Sequence, residues 1–276
     1  MIALPALIAV LLIAILTRVR GEERRARALL ALVAELREEV RYDIPPARRA
    51  AIEGSILAVF RGAGRDAAEA GVAFFVSPTA ALTVAHNLGV AGSARRHVGK
   101  VACVRPSDGA RFAFDVVALD ADLDCAVLRL RTGAPSAHFL TVSRGGIGVA
   151  AGDEGAFLVA CNVRMAAEAP DAASVCAAWH RARVVRVHPH TFLYDAPSFN
   201  GDSDGAIIVA RTGDVIGLHK ELANAARELL KHKATVGERL SRVEASVQSL
   251  IKGSSSGCVG VRLDCDVARS LLSAAA

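Results

Sequence analysis

Aromatic residues are scarce, only 4% of 276, with one Trp and two Tyr. A core of ordinary size must therefore be built from Val, Leu, Ile and Ala. The chain also lacks the aromatic-interleaved basic patch that grips nucleic acid, and its formal net charge is a mild +5, so nucleic acid is not an expected partner. Cysteine is sparse too: Cys103, Cys125, Cys161, Cys176, Cys258 and Cys265 form no CxxC pair and cannot frame a disulfide-rich scaffold. Several lie in apolar runs, where a reduced, buried thiol fits. No metal-ligand cluster and no glycine-rich loop followed by Lys-Ser/Thr is present, so neither a metal nor a nucleotide cofactor is expected. The length suffices for one large domain or two moderate ones.

Charge is missing altogether from residues 1–17, and residues 2–16 are almost wholly aliphatic. The run is shorter than the roughly 20 residues of a comfortable membrane span. No basic segment precedes it, and no convincing small-x-small cleavage site follows. Arg18, Arg20, Arg24, Arg25 and Arg27 outnumber Glu22 and Glu23 on its far side, which would keep the rest of the chain cytosolic. Three readings stand: a single-pass anchor, a cleaved signal or organellar transit segment, and a buried helix.

Leu29, Val33, Leu36 and Val40 then fall on one stripe of an amphipathic helix, which Asp43-Ile44-Pro45-Pro46 ends. Beyond it the pattern changes to short strands between Gly, Asp and Ser. Strands are expected at 55–61, 71–77, 81–85, 98–105, 111–119 and 125–130, with a break at Gly133-Ala134-Pro135-Ser136. A second set begins near Phe139 and continues at 156–161, 182–188, 206–210 and 215–219. Residues 222–233 read as a helix, and Val236, Leu240, Val243, Val247 and Leu250 repeat a coiled-coil spacing. A flexible link at 253–257, a strand at 258–263 and a short closing helix at 267–272 complete the chain. The spacing by itself indicates a mainly β protein of one or two sheets.

Three segments carry chemistry: Thr83-Val84-Ala85-His86, Asp122-Leu123-Asp124-Cys125-Ala126-Val127-Leu128, and Gly201-Asp202-Ser203-Asp204-Gly205-Ala206. A serine hydroxyl attacks only when a base removes its proton, and a histidine, half-neutral near pH 6.5, is suited to that task. A buried carboxylate on the other ring nitrogen fixes the tautomer and favours the imidazolium. Asp124 is preferred to Asp122, which lies two residues away on the same face of an extended chain.

The order His, Asp, Ser in these motifs resembles the trypsin-like (chymotrypsin-fold) serine peptidases. It is most similar to the branch of high-temperature-requirement and glutamyl endopeptidases, through Thr-Val-Ala-His, the Asp124 run, the Gly201 run and Gly257-Cys258-Val259-Gly260-Val261. The resemblance implies two six-stranded antiparallel β-barrels with the site in the cleft between them. Behind the hydrophobic anchor or signal segment (1–17) and the amphipathic helix (18–43) it implies a first barrel (47–132), a second barrel with C-terminal helix (133–221 and 254–276) and a helical insertion (222–253). An unfinished barrel with an appended helical tail is the alternative. It further implies a catalytic His86, Asp124 and Ser203, an oxyanion hole from the backbone N–H groups of Gly201 and Ser203, and a substrate pocket lined by Ser198 and His219. Val215-Ile216-Gly217-Leu218-His219 is similar to a run in glutamate-specific peptidases, so a carboxylate side chain could enter that pocket. Pro197 stands where trypsins carry the aspartate that selects basic residues.

Two departures concern activity. Asp204 replaces the glycine that usually follows the nucleophile, and Ala206 replaces a common proline. The Gly-Gly usual after His219 is also absent, with Lys220-Glu221 in its place. The expected function is a serine endopeptidase acting on a protein or peptide substrate. The alternative is a catalytically inactive peptidase-fold binding or scaffold protein. An esterase with Gly201-x-Ser203-x-Gly205 as its nucleophile elbow would need its histidine after the serine, and the upstream His86 motif decides against it. The expected setting is membrane-anchored through residues 2–16 with the peptidase cytosolic, or organellar or secreted after the segment is removed. The heptad-like helices could pair with each other, pack on the barrel or mediate an oligomer.

Overall fold

A computed structural model describes residues 42–61, 68–88, 100–143, 155–165, 173–197, 205–253 and 257–273, together with residues 25, 27 and 29–31. The chain divides into two units, Met1–Asp43 and Ile44–Ala276. In the first, residues 25, 27 and 29–31 are helical. The apolar run 2–16 and most of the amphipathic helix expected at 18–43 lie outside the described residues. Among the described residues no helix is long and apolar enough to cross a membrane.

The second unit opens with helix α1 (Pro46–Glu53), which lies ahead of the strand expected at 55–61 and inside the span 47–132 assigned to the first barrel. Pro45 and Pro46, expected to stop the preceding helix, thus start another. Pro46 has a fixed φ suited to the first helical turn, and its missing N–H is one the turn would leave unbonded anyway.

Strands β1 (Ile56–Arg61), β2 (Ala68–Phe75), β3 (Ala80–Thr83), β4 (Val101–Val104), β5 (Arg111–Asp120) and β6 (Cys125–Thr132) close into one barrel, in the order β1-β2-β3-β6-β5-β4. Strands β7 (Ala156–Met165), β8 (Ala173–Val187), β9 (Thr191–Asp195), β10 (Ala206–Val209), β11 (Val215–Leu222) and β12 (Cys258–Arg262) close a second, in the order β10-β11-β12-β9-β8-β7. Every pairing within the two barrels is antiparallel. The fold is therefore chymotrypsin-like, mainly β, with a helical insertion before the last strand. Closure removes the exposed edges on which sheets aggregate.

Strand periodicity explains why so few residues of these strands look amphipathic. In the first barrel Leu57, Val59, Ala73, Phe75 and Leu128 join Phe112 and Phe114 in one cluster. In the second barrel Leu158 joins Phe192, Tyr194 and Ile216 in another. Ile56, Ala58, Val72, Phe74 and Val127 of the first barrel point the other way, into a third cluster shared with Val159, Cys161, Ile208 and Leu218 of the second. Alternate side chains face opposite sides of a strand, and here both sides are buried. The large cluster thus joins the two barrels.

The second barrel differs from expectation in its strands. The segment near Phe139 is not a barrel strand: Val142 makes an isolated parallel bridge to Val215, and Thr141 and Ser143 bond its backbone. The sixth strand is β9, reached through the turn at His188-Pro189-His190, and it lies between β8 and β12. The heptad-like seam is also broken. Helix α2 (Ala223–Thr235) ends at Val236, Gly237 adopts a left-handed φ of 72°, and Ser241 caps helix α3 (Arg242–Ile251). The cap is reciprocal: the Glu244 N–H donates to the Ser241 hydroxyl, and the Ser241 N–H donates to the Glu244 carboxylate. Ala226 and Leu230 of α2 and Val243, Val247 and Leu250 of α3 are buried in the large cluster. These seam residues are consumed within the chain. Helix α4 (Asp266–Ser273) closes the fold.

Candidate active site

The site begins with a strand register. Thr83 at the end of β3 pairs with Ala126 near the start of β6, so the residues that follow one strand and precede the other are neighbours. Val84 and Ala85 are buried and lead into a 3-10 turn at His86–Leu88. Across from it, Asp120 Oδ1 accepts the N–H groups of Asp122 and Leu123 and curls the β5–β6 connection. Leu123 anchors that turn in the core. Asp124 follows with φ 62°, a left-handed conformation that aspartate tolerates better than most residues.

The turn aims the Asp124 carboxylate at His86. Its Oδ2 lies 2.8 Å from His86 Nδ1, and its Oδ1 accepts the His86 backbone N–H at 2.9 Å. Both oxygens thus grip one residue, fixing the ring's orientation as well as its position. Asp122 is exposed and takes no part in this pairing. The Asp124 side chain is 12% exposed and that of His86 43%, so the carboxylate is sheltered while the ring reaches solvent. Burial would raise the Asp124 carboxyl, but the His86 hydrogen bond and charge, with the Lys220 charge behind them, hold it below the usual carboxylate range.

His219 lies on β11, only 2% exposed, with its Nδ1 within hydrogen-bond distance of the Tyr194 hydroxyl. The two rings meet edge-on at 5.9 Å and 83°. Burial, helped by the charge of His86, pushes its imidazole down to about 4. It is therefore neutral at pH 7. The His219 N–H donates to the Gly205 carbonyl at 2.9 Å, tying β11 to the chain just after Ser203. Ser198, Gly201 and Ser203 themselves lie outside the described residues. Lys220 and Glu221, which stand in place of the family's usual Gly-Gly, follow His219 on β11. Their side chains are largely buried and 3.7 Å apart. Among the described residues no group of three or more His, Cys, Asp or Glu could hold a metal ion.

Two closed six-stranded barrels with a histidine and a carboxylate paired at the end of β3 define the class of chymotrypsin-fold proteins. Residues 71–218, just over half of the chain, match the family model of the trypsin-like peptidase domain. The chain belongs to the trypsin-like peptidase family. No characterised protein sequence matches it. Among solved structures it is similar to the apo MamO protease domain from Magnetospirillum magneticum, at 13% identity and a TM-score of 0.49, covering 82% of this chain and 97% of that one. It is also similar to the HtrA-type protease AlgW with decapeptide, at 14% identity and a TM-score of 0.49, covering 82% of this chain and 66% of that one.

Proposed function

We propose that the protein is a serine endopeptidase. The observation that carries this reading is the two-point grip of Asp124 on His86, in a chain of the trypsin-like peptidase family with Gly-Asp-Ser-Asp-Gly at 201–205. In this mechanism Ser203 Oγ attacks the scissile carbonyl carbon while His86 Nε2 takes the hydroxyl proton. Asp124 holds Nδ1–H and stabilises the imidazolium without itself taking a proton. The backbone N–H groups of Gly201 and Ser203 receive the oxyanion, each donor being worth about 3 kcal/mol in such sites. The C–N bond breaks as His86 returns the proton to the leaving amine, and water then releases the acyl group by the same steps. Ser198 and His219 line the primary pocket. A neutral His219 would meet a carboxylate side chain as a hydrogen-bond donor, not as a cation.

A second reading has one observation behind it. Asp204 puts a negative charge where the family usually has glycine beside the nucleophile. The protein would then be an inactive peptidase-fold binding or scaffold unit. Hydrolysis of a mixed peptide library by the full chain separates the two. The peptidase reading expects cleavage that falls roughly 10⁴-fold in Asp124→Asn, where the histidine loses its tautomer partner. Cleavage after glutamate should exceed cleavage after alanine or leucine if His219 selects it. No cleavage by the folded chain favours the binding unit.

A further inference from the structure

Two polar rings meet inside the second barrel, where apolar side chains would pack as well. Tyr194 on β9 is fully buried and shares its cluster with Leu158, Val184, Phe192, Ile207 and Ile216. A phenylalanine there would fill the space without taking a hydroxyl out of water, which is costly unless the group is bonded. The Tyr194 hydroxyl lies within hydrogen-bond distance of Nδ1 of His219, itself only 2% exposed.

Both rings are held in place. Strand β12 runs between β9 and β11, and the Phe192 ring lies against Gly260, the β12 partner of His219. Tyr194 follows two residues along β9, on the same face. Its ring stands 5.6 Å from that of Phe192, tilted by 38°, and meets the His219 ring edge-on. The backbone N–H of His219 donates to the carbonyl of Gly205, two residues beyond Ser203 in the chain. The imidazole is therefore fixed between the barrel core and the segment that follows the nucleophile. Of the two groups, the phenol is the stronger donor and the basic ring nitrogen the stronger acceptor, so the Tyr194 O–H donates to Nδ1. His219 is neutral at pH 7, and its one ring proton then sits on Nε2.

We propose that Tyr194 is a positioning residue for substrate selection: its hydroxyl donates to His219 Nδ1 and so presents Nε2–H to the primary pocket as a hydrogen-bond donor. The side chain selected is one that ends in an acceptor oxygen, the carboxylate of glutamate or the carboxamide of glutamine. Methionine, of similar length but without that oxygen, leaves the buried N–H unpaired and is disfavoured. The selection rests on the peptidase reading, whereas the tautomer does not.

The test pairs ¹H–¹⁵N NMR of the histidine side chains in the full chain at neutral pH with peptide cleavage. The peptides differ only in carrying glutamate, glutamine or methionine before the scissile bond. The His219 signals are identified by their loss in His219→Gln. The parent should hold His219 as the Nε2–H tautomer alone. Tyr194→Phe keeps the ring and removes one oxygen, and His219 should then populate both tautomers. In that variant the preference for glutamate and glutamine over methionine should fall on the order of 10-fold in kcat/KM, with the methionine peptide changing by less. A merely structural hydroxyl would lower the rates on all three peptides alike. The expected tautomers without turnover of any peptide support the role of Tyr194 while the peptidase reading fails. A parent in the Nδ1–H form, a tautomer unmoved in Tyr194→Phe, or an equal loss on all three peptides overturns the inference even in an active enzyme. If Tyr194→Phe fails to fold, the tautomer and the preference of the parent decide.

Discussion

At the residue scale, His219 makes the sharpest physical prediction. Its folded-state value of about 4 lies below the ordinary 6.5, so the folded chain binds fewer protons than the unfolded chain between those limits. Its contribution to stability is complete above about pH 6.5 and is lost as pH falls toward about 4. The full effect is on the order of 3 kcal/mol. Asp124, held low, loses its contribution at still lower pH, whereas the raised Glu221 acts in the opposite sense. Denaturant unfolding from about pH 7.5 to 4 should show stability falling with acid, and His219→Gln should flatten that slope. An unchanged slope in the variant would assign the acid sensitivity elsewhere. His86 and Asp124 were legible in the sequence because each sits in a short run with its own strand beside it. The Lys220–Glu221 pairing was not, because consecutive residues of a strand are expected on opposite faces and only a bulge in β11 at Lys220 brings them together.

At the element scale, glycines in β11 and β12 make room for one ring. A Cβ on Gly217 would stand 2.5 Å from Phe192 Cε1 and from the Val261 carbonyl, and one on Gly260 2.5 Å from Phe192 Cζ. Phe192 fills the second barrel from β9, so the ring cannot withdraw without opening that core. Gly260→Ala should therefore cost about 1–3 kcal/mol and lower Tm by several degrees. A Phe192→Leu background should recover part of the loss, and a Gly260→Ala protein as stable as the parent would contradict this packing. Most strands were legible from Val-, Ile- and Phe-rich runs between turn residues. β9 was not, since only a short turn separates it from β8, and its pairing is decided by closure of the barrel. The spacing from Val236 to Leu250 suggested one seam, but the Gly237 turn and the Ser241–Glu244 cap divide it. Local capping prevailed over heptad spacing.

At the scale of the molecule, the packing is apolar and holds without disulfides. None of the six cysteines is bridged to another, and five of them are buried. Burial drives the Cys103 thiol far above its ordinary value and also raises Cys265, so neither is readily ionised. Tm should be the same with and without a reducing agent, and a drop on reduction would reveal a disulfide that this arrangement lacks. The two-barrel architecture was available from the motifs because their order implies it; periodicity alone could not separate one sheet from two, since both faces of the central strands are buried.

The central claim, that His86 and Asp124 activate Ser203, is tested most directly by a fluorophosphonate probe. The probe would be applied to the full chain, Ser203→Ala, His86→Ala and Asp204→Gly, with the adduct located by mass spectrometry. One adduct is expected, on Ser203 of the parent, lost in Ser203→Ala and His86→Ala. A folded parent that stays unlabelled while Asp204→Gly labels would contradict it, and would make the native protein a peptidase fold with its nucleophile disabled.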